Sequence, residues 1–225
     1  MNEDAALLEK RRDIYLVLAA FFSREPTAEF LGELTSSGIE HYISAFSEPG
    51  ESQAQKSSGT EDKPALLLPD ELSDADVEGL ADEFSRIFLG PTDHLLPYES
   101  VQCTDGEGAG GFWGERTVQV KLFMARFGME LDENDVRMPD HMSLEFEFMG
   151  RMLEKLLTLV KEKEKDPDTI VKLENGITEF LHDHISKWVP KFCQKLMERD
   201  LSDLFHTMVG FTNNFVRAEI KNTAQ

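Results

Sequence analysis

Apolar side chains recur along this chain at the spacing of three to four residues that is typical of amphipathic helices. Asn2 can cap a first helix, which Pro26 ends. Later repeats predict helices over 27–46, 73–89, 115–127, 139–161, 166–185, 189–199 and 202–221. Neither βαβ alternation nor an internal repeat accompanies them. The pattern therefore predicts an all-α fold, a single-domain helical bundle over residues 1–225 with a long central loop.

Two of these predicted helices contain a conflicting signal, and a third has a clear signal for its first residue. Gly32 and Gly38 weaken the continuity of the second helix. Residues 117–122 also alternate as a strand would, although their length and the flanking glycines favour a helix. Pro139 suits the first position of the long helix that follows it.

The segment 48–64 contains no large apolar side chain. It cannot offset its own ordering entropy by burial, so we expect a flexible surface loop within the one domain.

Charge narrows the choice of partner. The chain has 43 acidic and 23 basic residues, a formal net charge of -20, and residues 40–107 contribute 16 acidic residues against three basic ones. Nucleic acid is an improbable partner because phosphate binding requires a basic surface. A basic polypeptide segment fits this charge, as does simple solubility.

The N-terminus and the two cysteines indicate the compartment. Cys103 and Cys193 are far apart and form no CxxC motif, which suits a reducing cytoplasm. The N-terminal apolar stretch is interrupted by charges and predicts a helix rather than a signal peptide. No run approaches the roughly 18 apolar residues that a membrane span needs. We expect a cytoplasmic protein without stable membrane insertion.

Two features could indicate small-molecule chemistry. Gly106 to Gly111 contain a GxGxxG pattern, with Glu130 at a suitable distance, but no strand is predicted before it and nearby acids would repel phosphate. We expect a mobile glycine loop, with nucleotide binding at 106–111 as an alternative. His141 and Glu145, at i and i+4, could supply half of a metal site, but no third ligand follows at a fixed spacing.

The remaining histidines and motifs give no better case for an enzyme. His182 and His184 would point to different sides of a helix, and neither a nucleophile motif nor a Walker motif is present. We therefore predict no catalytic residues, no bound metal and no cofactor.

Aromatic side chains surround the central loop. Phe84 and Phe88 lie on a predicted helix face and suit the core. Tyr98 and Trp113 lie in loop sequence, where large aromatics anchor a loop or line a binding groove.

Two short segments carry a resemblance to a known family. Residues 96–101, LPYESV, resemble the first signature of the TorD/DmsD/NarJ redox-enzyme maturation chaperones, and residues 139–149, PDHMSLEFEFM, resemble the second. Trp188, Pro190 and the segment 205–219 are similar to the closing helices of that family. Departures are Arg137 and Met138, where the family often has a glutamate, and Gln102, where it commonly has an aromatic residue.

The resemblance implies a chaperone that binds the signal peptide or apoprotein of a molybdenum-containing oxidoreductase. It would support insertion of the molybdopterin cofactor and delay twin-arginine export until maturation, as a monomer or a helix-swapped dimer. We expect Asp140 and Glu99 to face guanidinium groups of the client. The full set of expected peptide-binding residues is Tyr98, Glu99, Ser100, Trp113, Asp140, His141 and Glu145. The alternative to this function is a general helical interaction or regulatory module without a redox client, and a second alternative, from the enzyme class, is a nucleotide-binding protein that uses the glycine loop at 106–111.

Overall fold

The structure is a computed structural model that describes residues 2–46, 72–90, 92, 94–103, 113–131, 136–162 and 166–223. In this part of the chain the backbone is helical and forms no strand, so the all-α prediction is confirmed. An isolated antiparallel bridge joins Tyr98 to His141. The helices are α1 Asn2–Phe21, α2 Ala28–Ser36, α3 Ile39–Phe46, α4 Asp74–Phe84, α5 Glu99–Gln102, α6 Glu115–Arg126, α7 Met142–Lys161, α8 Pro167–Phe180, α9 Ser186–Met197 and α10 Asp203–Thr223.

Two π-helical turns interrupt the α-helical geometry. Ser85–Leu89 extends α4, and Leu181–Ile185 joins α8 to α9. Such turns are rare in proteins as a whole, and those that occur are often found at functional sites. The second one lies in the part of the fold that holds the candidate site.

The chain forms two compact units. The first comprises Met1–Arg24, Leu96–Phe192 and Glu219–Gln225, and the second comprises Glu25–Leu95 and Cys193–Ala218. The expectation of a single domain over 1–225 stays a prediction.

Close helix packing in the first unit depends on two glycines. A Cβ at Gly150 of α7 would lie 2.6 Å from Cδ2 of Leu16, so α1 and α7 pack at a distance that a larger residue would prevent. A Cβ at Gly176 of α8 would lie 2.3 Å from the ring of Phe127. Native packing density leaves no space for either methyl group without movement of its neighbour.

Buried aromatic rings fill the core of the first unit. The Phe123 ring lies 5.1 Å from Phe180 and 6.0 Å from Phe148, and the Phe180 ring lies 4.8 Å from the imidazole of His184. These separations are those of favourable edge-to-face and tilted pairs. The same cluster therefore stabilises the unit and fixes the position of a buried histidine.

In the second unit, α2 and α4 each begin after a residue whose side chain caps the helix. The Thr27 hydroxyl accepts a hydrogen bond from the Phe30 N–H, and Ser73 forms a capping box with Asp76. Within the same unit, the ring of Phe46 packs against those of Phe211 and Phe215.

Three predicted helix boundaries are wrong. The helix predicted over 27–46 is broken into α2 and α3, because Gly38 adopts a left-handed φ of 70° that ends a helix. Helix α7 begins at Met142 rather than at Pro139, because the preceding turn pairs with residues 97–99. Helix α9 begins at Ser186, not 189, because the π-helical turn carries α8 directly into it.

Several other predictions concern helices and loops. Helix α6 covers residues 117–122, so the helical interpretation of that segment is confirmed. Asp166 caps α8, which begins at Pro167, one residue after the start of the range predicted for it. The segments 48–64 and 106–111 lie outside the described residues. None of the helices in the described ranges is long and apolar enough to cross a membrane.

Candidate functional site

The two signature segments lie against each other in the first unit. The Glu99 N–H donates a hydrogen bond to the Asp140 carbonyl oxygen at 3.0 Å, and the Met142 N–H donates to the Pro97 carbonyl oxygen at 2.8 Å. These main-chain hydrogen bonds, which span 41 and 45 residues of the sequence, therefore hold the two segments in a fixed register. We call this pair of segments, 96–101 and 139–145, the motif cluster.

The Asp140 side chain strengthens the same junction. Its Oδ2 accepts a hydrogen bond from the Ser100 backbone N–H at 2.9 Å, and the side chain is fully buried. A charge-assisted bond to a backbone amide is stronger than a neutral one. Asp140 thus holds the first signature segment in place.

His141 is the N-cap residue of α7. Its Nδ1 accepts hydrogen bonds from the Ser143 backbone N–H at 3.1 Å and from the Ser143 hydroxyl at 2.7 Å, while Arg137 donates to that hydroxyl. The Tyr98 ring meets the imidazole edge-on at 4.8 Å. The Nδ1 atom of His141 is therefore engaged in capping α7. Among the described residues no group of histidine, cysteine and acidic side chains could hold a metal ion.

Glu99 is fully buried and binds two side chains of this chain, an arginine and a histidine. Its Oε1 accepts a hydrogen bond from Arg116 Nη1 at 2.8 Å, and its Oε2 accepts one from His184 Nδ1 at 2.9 Å. His184 reaches Glu99 from the π-helical turn between α8 and α9. Both carboxylate oxygens are therefore satisfied within the chain.

Glu145 is a third buried carboxyl group. Its Oε2 accepts a hydrogen bond from the Trp188 indole N–H at 3.1 Å. Burial, and next the neighbouring charge of Glu99, raise the pKa of Glu145 well above its usual value, although the Trp188 bond opposes this. The site thus favours a neutral carboxyl group beside Glu99.

Four buried oxygen atoms in this region have no hydrogen-bond partner among the described residues. They are Ser100 Oγ, Thr117 Oγ1, Asp140 Oδ1 and Glu145 Oε1. An unpartnered buried polar atom costs about 1–3 kcal/mol. Three of them belong to the motif cluster and Thr117 lies on α6, which indicates a region able to accept donors from a ligand or from water.

Apolar side chains are exposed on the next helix. Val118 and Leu122 of α6 are 47% and 65% exposed, and a spacing of four residues puts them on one face. Thr117, Val120, Phe123 and Met124 occupy the buried face of α6. Trp113, just before α6, is 66% exposed and adopts a left-handed φ of 65°, which is unusual for a bulky residue.

The structure brings most of the predicted site residues together. The motif cluster contains Tyr98, Glu99, Ser100, Asp140, His141 and Glu145, whereas Trp113 lies outside it, next to α6. Glu99 and Asp140, which we expect to face guanidinium groups of a client, are both 0% exposed in this structure, and that expectation stays a prediction. Each binds a group of this chain.

Three residues of the site were not predicted from the sequence. Arg116, His184 and Trp188 are the partners of the buried carboxyl groups. The sequence offered a weak signal for Trp188, which resembles a family position, and for His184, which lies two residues from His182. Helical periodicity could not show that a π-helical turn directs His184 inward.

The all-α fold and the contact between the two signature segments are those expected of the redox-enzyme maturation chaperones that the segments resemble. The sequence profile of the family described as nitrate reductase delta subunit matches residues 54–194, which is more than half of the chain. The chain therefore belongs to this family, and the resemblance to the TorD/DmsD/NarJ group is confirmed.

Individual relatives are similar over nearly the whole chain. The chaperone protein TorD of Vibrio parahaemolyticus is 28% identical over 202 residues, which cover 89% of this chain and 88% of that protein. The chaperone protein TorD of Photobacterium profundum is 25% identical with the same coverage. That of Aliivibrio fischeri is 23% identical over 222 residues, 98% of both chains.

Proposed function

We propose that this protein is a cytoplasmic chaperone for a molybdenum-containing oxidoreductase. It binds the twin-arginine signal peptide, the apoprotein or both, supports cofactor insertion, and delays export until the client is mature. It keeps no cofactor and catalyses no reaction. Membership of the nitrate reductase delta subunit family and similarity to proteins named TorD support this proposal.

The observation that carries the proposal is the joining of the two signature segments into one motif cluster. Backbone hydrogen bonds, the Asp140 side chain and the Tyr98–His141 ring contact hold them together. A binding surface made of rigid, pre-positioned elements loses little entropy when a ligand arrives. In the proposed mechanism the motif cluster gives the surface its shape.

The exposed apolar residues of α6 provide the second part of the proposed surface. A signal peptide combines a basic front with an apolar stretch, and Trp113, Val118 and Leu122 offer the apolar stretch a place to bind. Burial of roughly 400 Å² at ~25 cal/mol per Å² gives about 10 kcal/mol before the costs of association. An exposed ion pair contributes only ~0.2–1 kcal/mol.

Apolar contact should therefore provide most of the affinity. The net charge of -20 should mainly speed the approach of a basic peptide and select against acidic ones. Binding should weaken moderately with salt and should not be abolished by it.

Two matched valine substitutions test the location of this surface. Val118→Ser on α6 should weaken binding of a twin-arginine signal peptide by roughly fivefold, because it removes apolar contact area. Val171→Ser on α8 is the control, since Val171 is 52% exposed and also lies on a helix. Calorimetric titration of each variant gives the two dissociation constants.

The proposal would fail if the wild-type protein bound neither such peptides nor the apoprotein of any molybdenum oxidoreductase. Equal weakening by both valine substitutions would instead reject α6 as the apolar surface and leave the proposed function standing.

A further inference from the structure

Arg116 connects the protein surface to a fully buried carboxylate. Its side chain is 35% exposed, whereas that of Glu99 is 0% exposed, and Nη1 lies 2.8 Å from Oε1. The second partner of Glu99, His184, is only 8% exposed. Of these two partners, Arg116 is therefore the one that can exchange with a group arriving from solvent.

The Glu99 carboxylate cannot be left without a partner at low cost. Removing one member of a buried ion pair strands a desolvated charge. A client group that reaches Glu99 Oε1 must therefore bring a positive charge and hydrogen-bond donors of its own. A guanidinium group replaces another guanidinium with the same planar geometry, which an ammonium group does not.

We propose that Arg116 is an internal competitor for the client. It occupies the position on Glu99 that an arginine of the signal peptide takes on binding, and the client displaces it. This inference rests on the proposed function and explains why a carboxylate expected to face a guanidinium group is already paired in this structure.

The unpartnered oxygen atoms support an exchange at this place. A guanidinium group carries five N–H donors. Ser100 Oγ and Thr117 Oγ1 belong to the residues that directly follow Glu99 and Arg116, and Asp140 Oδ1 and Glu145 Oε1 belong to the motif cluster. All four oxygen atoms can accept a hydrogen bond and none has a partner among the described residues, so the region can accept donors from an arriving guanidinium group.

Internal competition would make the chaperone selective. Any arginine-bearing segment must first displace Arg116, which lowers its apparent affinity. Only a segment that also buries apolar surface, as on α6, offsets that cost. The ion pair between Arg116 and Glu99 would then discriminate against unrelated basic peptides, which cannot offset the cost of breaking it.

Four proteins and two peptides test the inference. The proteins are the wild type, Arg116→Lys, Arg116→Gln and the control Arg126→Gln, which removes another α6 arginine that is paired to a glutamate, Glu179. One peptide carries two consecutive arginines before an apolar stretch, and the other carries two lysines there. Dissociation constants come from fluorescence anisotropy, and thermal unfolding checks that each variant is folded.

Arg116→Lys should bind the arginine peptide about tenfold more tightly than the wild type, because lysine competes less well for Glu99. It keeps the net charge, so the gain cannot come from overall electrostatics. The lysine peptide should gain less. Arg116→Gln should gain more than Arg126→Gln, and if Arg116→Gln does not fold, Arg116→Lys decides.

Unchanged or weaker binding by Arg116→Lys would overturn the inference, as would equal gains in Arg116→Gln and Arg126→Gln. In both cases a wild type that binds the arginine peptide leaves the proposed function intact. If the wild-type protein binds neither peptide, signal peptides are not its clients, and this inference fails as well.

Discussion

Replacing the buried Glu145 by glutamine should change how the stability of this protein depends on pH. Glu145 is 0% exposed, and burial together with the Glu99 charge raises its pKa in the folded protein well above the usual value. In the unfolded chain the pKa returns to about 4.3. The folded protein therefore holds a proton at pH values where the unfolded chain has lost it.

The sign and size of this effect of pH on stability follow from proton linkage. Because the folded state binds more protons, the contribution of Glu145 to stability is fully present below the unfolded pKa. It is lost as the pH rises through the folded pKa. Each pH unit between the unfolded and the folded pKa costs up to about 1.4 kcal/mol. That amount is a substantial share of the ~5–15 kcal/mol by which domains are stable.

Glu145→Gln mimics the neutral carboxyl group and keeps an oxygen acceptor for the Trp188 indole N–H. The variant should become more stable than the wild type by an amount that grows from pH 5 to pH 7. Urea denaturation followed by circular dichroism at each pH measures the difference in the free energy of unfolding.

Glu147→Gln is the matched control for this experiment. Glu147 lies on the same helix but pairs with Arg151 at the surface, so its replacement removes the same formal charge outside the buried cluster. The reasoning is refuted if the difference between Glu145→Gln and wild type stays constant with pH, or if it follows that of Glu147→Gln.

Two further predictions concern packing and a thiol. Gly176→Ala should lower the free energy of unfolding by about 1–3 kcal/mol, because the new methyl group meets the Phe127 ring. Thermal unfolding measures this change. Gly79→Ala in α4 is the control and should not be destabilising, because nothing lies within 4 Å of the added methyl group. Burial raises the pKa of Cys193 to about 12, so its thiol should resist alkylation by iodoacetamide at pH 8 in the native protein and react in urea, as peptide mass spectrometry can show. Native alkylation at Cys193 as fast as in urea would contradict its burial.

Local signals in the sequence were enough to predict most of the helices. Thr27, Ser73 and Asp166 have the side chains that cap helices, and each one caps a helix in the structure. The apolar repeat of α6 prevailed over the strand-like alternation within it. These features depend on neighbours within a few residues, so a sequence displays them directly.

Two of the three boundary errors arose where distant segments compete for the backbone, whereas the third lies at Gly38, a local break. Pro139 is a good first residue for a helix, but the turn at 139–141 bonds to residues 97–99 instead, and α7 starts at Met142. The π-helical turn Leu181–Ile185 carries no sequence mark that distinguishes it from the α-helix around it. Tertiary packing selected both conformations over the local preference.

The sequence by itself determined the helical class, the acidic character and the two signature segments, because periodicity, composition and short motifs are properties of neighbouring residues. Only the tertiary structure decided that Glu99, Asp140 and Glu145 are all buried. It also decided that Arg116 and His184 bind Glu99 and that Trp188 binds Glu145. Those pairs span 17 to 85 residues. A contact at such a separation exists only after several helices have packed, and the cost of burying a charge then dictates which side chains must meet.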